Sequence, residues 1–381
     1  LTKFIKGPVT WKLEKIMKQI LPGYTSGCSW EDKEAMLNQY YQEGYRFVVF
    51  GDGSGWDKTQ SWELKYVDRL IYNYLIDGGH IHHVDPEAFK IRVNTRHKKY
   101  KAFAYIDGCK TLVAQVLIDA KVGSGDTDTT LMNTVRMCFV QHFLMQQSGL
   151  EYKLWCSGDD FTVFTKTPCD LSALYYKYWA KKNTHLNEAY GLGLCLKFLK
   201  TSAIENCDFC STNVIFEAGK FKMVRLPNRM YPLMHWSVKA LAMNKFQLVN
   251  YMIDQAQGLE HWCHQMPFYK TYVDAIYHHY GKVKYKLNTK VGKRRIHLSD
   301  GPQLTQEEVQ KIELGYEYYY KTRLRKSPAK VSDDAVYTYL YKVGGITKLD
   351  IANLEETLKR GGVIDLPDQP IEMHGETDVC I

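Results

Sequence analysis

The sequence predicts an α+β fold built on a split βαβ sheet. β-prone runs occur at Tyr45–Phe50, on both sides of Gly158-Asp159-Asp160, and at Leu194–Leu199, with helix-periodic stretches between them. Their order is strand, helix, basic insertion, loop and helix, hairpin, helix, strand, which without the insertion is β-α-β-β-α-β. Acidic residues sit at the end of the first strand and at the hairpin bend. In this topology the hairpin pairs beside the first strand and brings Asp52 close to Asp159 and Asp160.

Composition sets the frame for these elements. A chain of 381 residues with 45% hydrophobic content can bury a real core, which excludes disorder for most of it. Lys and Arg number 50 against 42 Asp and Glu, leaving a formal +8, a mild bias toward a polyanionic partner that gains meaning only where basic residues cluster. The 10 cysteines follow no disulfide framework and the N-terminus shows no signal segment, so a reducing setting is expected. No apolar run approaches the length of a membrane span. The chain begins with Leu rather than Met, and is expected to be part of something longer.

Residues 1–44 read as helical, with Ser29-Trp30-Glu31-Asp32 as a capping-box start and Gly44 as a stop. Tyr45–Phe50 is a continuous apolar run that fits a buried central strand, and it leads into Gly51-Asp52-Gly53-Ser54-Gly55-Trp56-Asp57. Val67, Leu70, Ile71, Tyr74 and Leu75 then recur at helical spacing until Gly78-Gly79. Between residues 92 and 121 lie Arg92, Arg96, Lys98, Lys99, Lys101, Lys110 and Lys121, around an Asp107-Gly108 hairpin turn. A solvated basic hairpin explains this stretch in structural terms; its place between two substrate-like loops favours contact with RNA or nucleotide.

A Gly-Ser-Gly loop at 123–125 opens a helix running to about Gln147, in which Thr129 and Asn133 share a face. After the hairpin, residues 170–188 read as a helix with Ala173, Tyr176, Trp179 and Ala180 on its apolar side. Lys197 is exceptional in the final strand. Taken singly, each loop is explained by capping or turn chemistry, and Gly-Asp-Asp is a common turn composition. Three carboxylates from two strand ends beside a Ser/Thr/Asn loop are, however, what two-metal phosphoryl transfer requires, because each hard cation needs oxygen ligands.

Together these stretches resemble a known family, the RNA-dependent RNA polymerases of positive-strand RNA viruses. Asp52-x4-Asp57 is similar to the family's motif A, Ser124-Gly125-x3-Thr129-x3-Asn133 to motif B, and Gly158-Asp159-Asp160 to motif C. Lys197 falls at the motif D lysine and Asp208-Phe209-Cys210-Ser211 resembles the motif E turn, while Lys222–Pro227 resembles tombusvirus-like members. The resemblance covers roughly residues 45–230.

It implies a right-hand polymerase: a fingers remnant over 1–44, a palm over 45–228 with a basic fingers insertion at about 78–121, a mainly helical thumb over 229–365, and a loose acidic tail over 366–381. It further implies that Asp52, Asp159 and Asp160 bind two Mg²⁺ ions, for which Mn²⁺ is an alternative. Asp57, Ser124, Gly125, Thr129 and Asn133 would hold the nucleotide and its ribose, and Lys197 would protonate pyrophosphate. Phe209, Cys210, Ser211 and Lys121, with the thumb cluster Lys290, Lys293, Arg294 and Arg295, would contact RNA. The implied partners are RNA template and primer, ribonucleoside triphosphates and other viral replication proteins. The implied location is the host cytoplasm, at membrane-associated replication complexes reached through other regions or partners.

The sequence departs from the pattern upstream of motif A, where the family carries a basic fingers motif. Lys3, Lys6, Lys12, Lys15 and Lys18 instead lie scattered on a helix and read as a solvated face. Zinc is a minority reading for His80, His82 and His83, for Cys207-x-x-Cys210, and for His261, Cys263 and His264 with His278 and His279. Two rival functions remain. A reverse transcriptase would carry a bulky residue where Asp57 stands, and a non-catalytic RNA-binding sheet would expose aromatics rather than carboxylates.

Overall fold

The computed structural model describes residues 2–81, 85–106, 109–120, 128–179, 191–226, 245–260, 267–280 and 331–360. The chain divides into two compact units, Leu1–Phe221 and Lys222–Ile381.

The first unit opens with helices α1 (Thr2–Ile20) and α2 (Trp30–Gln42). α2 starts at the expected capping box: the Asp32 amide donates to Ser29 Oγ and the Ser29 amide donates to Asp32 Oδ2, both at 3.1 Å. Strand β1 (Phe47–Gly53) follows, then α3 (Trp56–Thr59), α4 (Tyr66–Asp77) and α5 (Pro86–Val93). The basic insertion contains an antiparallel pair, β2 (His97–Ile106) and β3 (Cys109–Asp119), whose Asp107-Gly108 turn lies outside the described residues. Next come α6 (Thr129–Ser148), β4 (Tyr152–Ser157), β5 (Asp160–Thr165), α7 (Ser172–Trp179) and β6 (Leu196–Ala203). A last hairpin is formed by β7 (Thr212–Glu217) and β8 (Lys220–Arg225), and the division between units falls within β8.

The main sheet has the order β4-β5-β1-β6, with β1 antiparallel to both β5 and β6. This is the split βαβ arrangement: the hairpin lies beside the first strand, and the last strand closes the other side. Pairing of Gly51 with Phe161 sets the register that brings the end of β1 beside the hairpin bend. Gly51 is required there by close approach, since a Cβ would meet Phe198 O at 2.7 Å and the Phe161 ring at 2.8 Å.

Alternation along the strands assigns the two faces. Val49, Leu154, Cys156, Phe161 and Val163 join a core with residues of α1, α4, α6 and α7, including Leu13, Tyr72, Val135 and Trp179. On the other face Trp155 packs against Phe164 and Phe209, and Tyr40 of α2 lies 5.2 Å from Phe164 between ring centroids. Every residue of α6 from Leu131 to Cys138 is buried, so it is a central helix of this unit.

Three expectations are corrected by packing. The buried side of α7 is Tyr175 and Trp179, in line with Leu171 just before the helix, whereas Ala173 and Tyr176 are exposed; Ala180 lies outside the described residues. In α4 the buried positions are Asp68, Tyr72 and Ile76, while Leu70 and Tyr74 face solvent. β6 begins at Leu196 and is half-exposed along its length, with Phe198 and Lys200 outward, because it is an edge strand. Lys197 is therefore not a charge in a buried apolar strand.

Beyond the end of β8 the second unit is helical where described: α8 (Lys245–Glu260), α9 (Pro267–Tyr280), α10 (Asp333–Gly344) and α11 (Lys348–Lys359). α9 packs on both α8 and α11, burying Ile253, Ala256, Tyr272 and Ile351. The expected helix Val238–Gln255 is observed from Lys245 onward. The expected helix Gln306–Tyr320 and the tail after Leu366 lie outside the described residues. Among the described residues no helix is long and apolar enough to cross a membrane.

Candidate active site

Three carboxylates meet where β1 and the β4–β5 hairpin end. Asp52 is the penultimate residue of β1, opposite Phe198. Gly158 and Asp159 form the two-residue bend between Ser157 and Asp160, and Gly158 takes φ +66°, which an L side chain resists. Burial raises the Asp159 carboxyl above its usual range, and the charges of Asp52 and Asp57 push it the same way. Asp160, the first residue of β5, is pushed up to about 6, by burial first and then by Asp159. The turn at residues 208–211 touches this group, for the Cys210 thiol hydrogen-bonds Asp160 and burial raises that thiol to about 12. From the other side Lys197 reaches in, its Nζ 3.7 Å from Asp52 Oδ2 with most of its side chain exposed.

Helix α6 fixes the bend and the second acidic position. Thr134, wholly buried, accepts the Gly158 amide at 2.8 Å and donates to Thr130 O at 2.7 Å. One residue earlier, Asn133 Nδ2 donates to Asp57 Oδ1 at 2.8 Å. Thr129 begins the same helix, one turn before Asn133. Behind Asn133 lies Arg136, 1% exposed, whose Nη2 donates to Asn133 Oδ1 at 2.9 Å and whose Nε donates to Met132 O at 3.0 Å. Its Nη1 donates to Gln60 Oε1, and Nε lies 3.2 Å from Asp68 Oδ1. Burial lowers the guanidinium pKa; Asp68 is the first of the groups that offset this. Asp128 stands at the start of α6 without capping it through its side chain, and instead accepts from Tyr72 Oη at 3.1 Å.

Asp208–Ser211 is a tight turn, with Cys210 at φ 53° and Ser211 at φ 59°. Phe209 is buried against Trp155, whereas Cys210 and Ser211 are partly exposed. In the basic hairpin Lys99, Lys101 and Lys110 are exposed, whereas Arg96 is held by Asp119 through two bonds of 2.6 and 2.8 Å. Ser124, Gly125, Lys121, Lys290, Lys293, Arg294 and Arg295 lie outside the described residues, as do His82, His83, His261, Cys263 and His264. Cys207 is buried with its thiol pushed upward by desolvation, which disfavours the thiolate that zinc needs.

Sequence reasoning missed Thr134, Arg136, Gln60 and Asp68. One signal for them was available: Arg136 is the sole charge in the run Leu131–Cys138, and an arginine is tolerated in a core only when paired.

Among the described residues no three His, Cys, Asp or Glu side chains already form a cage for a metal ion. The donor set nevertheless fits a hard divalent cation. Asp159 and Asp160 are crowded, partly desolvated carboxylates whose ionised forms lack compensating charge, and oxygen ligands of this kind suit Mg²⁺.

A family model described as viral RNA dependent RNA polymerase matches residues 114–332, more than half of the chain. The chain belongs to the viral RNA-dependent RNA polymerase family. The matched span contains Asn133, Asp159, Asp160 and Lys197, and begins beyond Asp52 and Asp57. The RNA-directed RNA polymerase of Groundnut rosette virus (strain MC1) is 31% identical over 104 residues, a stretch covering 27% of this chain and 11% of that protein. The sheet order and the acidic cluster thus belong to a polymerase family member, although the alignment takes in only about a tenth of that relative.

Proposed function

We propose that this chain carries the catalytic core of an RNA-directed RNA polymerase that extends an RNA 3′ end with ribonucleotides on an RNA template. The single observation that supports this most is the meeting of Asp52 with the Asp159-Asp160 bend, two of the three carboxylates having raised pKa values. In this reading the split βαβ sheet lies in the palm, residues 1–44 and the basic hairpin belong to the fingers, and residues 229–365 are the thumb.

Asp52 and Asp159 would hold two Mg²⁺ ions, with Asp160 as a lesser ligand. When bound, the ions supply positive charge to the transferring phosphoryl group. The protein's own residues then orient and move protons. Asp57 and Asn133 form a joined pair that receives the ribose 2′-hydroxyl, a group able both to donate and to accept. Lys197, beside Asp52 and open to solvent, protonates the departing pyrophosphate from its Nζ. Ser211 and the Cys210 backbone contact the primer end, and the exposed lysines of the β2–β3 hairpin meet RNA phosphates. Other viral replication proteins at host membranes are the expected surroundings.

The test is primed-template extension with Mg²⁺, given ribonucleotides and deoxynucleotides separately. Wild-type protein is expected to extend with ribonucleotides, and Asp159→Asn to lose addition while keeping its thermal midpoint. Comparable extension by Asp159→Asn, or equal use of deoxynucleotides by the wild type, would refute the reading.

A further inference from the structure

We propose that Arg136 is a positioning residue for sugar selection: it fixes which end of the Asn133 carboxamide faces Asp57. This rests on the reading of Asp57 and Asn133 as the ribose site.

An asparagine side chain has a donor end and an acceptor end of nearly equal shape, so its orientation is set by its partners. Arg136 has only donors. By giving Nη2–H to Asn133 Oδ1 at 2.9 Å it ties down the oxygen, which turns Nδ2–H toward Asp57 Oδ1 at 2.8 Å. With the amide reversed, the Asn133 oxygen would face the Asp57 carboxylate and repel it, and the pair would lose the polarity a 2′-hydroxyl reads. The guanidinium is itself immobilised from three directions, by Asp68, by Gln60 and by the Met132 carbonyl one helical turn back. All of these groups are buried, with Gln60 at 0% and Asp68 at 8% exposure, so water cannot substitute for a missing partner. A chain of one ion pair and two hydrogen bonds therefore runs from Asp68 of α4 through Arg136 and Asn133 of α6 to Asp57. Its inner members lie too deep to touch a nucleotide and act only through Asn133.

The experiment measures kcat/KM for a ribonucleotide and its 2′-deoxy analogue, and the thermal midpoint, in five proteins: wild type, Asn133→Ala, Arg136→Lys, Asn133→Ala/Arg136→Lys and Arg136→Met/Asp68→Leu. Lysine keeps a charge for Asp68, but a single ammonium cannot also reach Gln60, Met132 O and Asn133. The double replacement removes both buried charges together, which proteins tolerate far better than removal of one. The ribose preference is expected to fall about 5- to 100-fold in Asn133→Ala, the loss that follows an unpaired polar group. A comparable fall is expected in both Arg136 variants, and no further fall when Asn133→Ala is added to Arg136→Lys. A purely structural role would lower the midpoint and slow both nucleotides equally. An unchanged ratio in both Arg136 variants, with a reduced ratio in Asn133→Ala, would overturn the role of Arg136 and leave the sugar site standing. An unchanged ratio in Asn133→Ala would overturn the sugar site, and the inference with it.

Discussion

Thr134→Val tests whether α6 holds the catalytic bend in place. Valine is nearly isosteric with threonine, so the core around position 134 stays filled while two hydrogen bonds disappear. The Thr130 carbonyl loses an extra donor at little cost, because it remains in the helix. The Gly158 amide loses its side-chain acceptor, at 2.8 Å. An orphaned buried donor costs about 1–3 kcal/mol, and Gly158 is only half-buried, so the lower half of that range applies. The functional loss should be larger than the stability loss. Gly158 precedes Asp159 directly, and a shift of about 1 Å at a reacting group can cost about 10²-fold in rate. Thermal denaturation and single-turnover extension on one template measure both quantities. Thr134→Ser, which keeps the hydroxyl and loses a methyl, should keep most of the rate even if it loses some stability. Equal rate losses in the valine and serine variants would show that packing, not the Gly158 bond, matters at this position. An unchanged rate in Thr134→Val would refute the tether altogether.

Two further outcomes are expected. Because Asp160 is raised to about 6 from an ordinary 3.8, its ionised form is penalised in the folded protein; the penalty is present above about pH 6 and disappears as pH falls toward 3.8. Metal-free Asp160→Asn should therefore gain at most about 2–3 kcal/mol at pH 8 and little at pH 4, as read by denaturant midpoints; a greater gain at pH 4 contradicts the burial account. Lys197→Leu should slow single-turnover addition by about 10²–10⁴-fold with little change in RNA affinity, and an unchanged rate would return this exposed lysine to the solvated surface.

Much of this protein was legible as a linear string. Strand runs and their order determined the β4-β5-β1-β6 sheet, because a hairpin between two crossover helices has few ways to pair. Capping chemistry placed the start of α2 at Ser29, since a cap acts over only four residues. Strand order brought Asp52 beside Asp159 and Asp160, and the resemblance to the polymerase motifs drew attention to Asp57 and Asn133. Faces were less legible. Tyr176 and Leu70 fit a helical stripe equally well, and only the position of the sheet decided that Tyr175 and Tyr72 would be the buried residues. Local pattern gives the period of a helix but not its rotation about its axis. The tertiary structure alone decided that Lys197 lies on an edge strand, that Phe209 turns into the core, and that Thr134 and Arg136 stand behind the site. Hydrogen bonds such as Arg136 to Gln60 and Thr134 to Gly158 join residues 76 and 24 positions apart, and no periodicity spans such distances. Side-chain chemistry fixed what these groups can do, and the packing of α6 against the sheet fixed which partners they do it with.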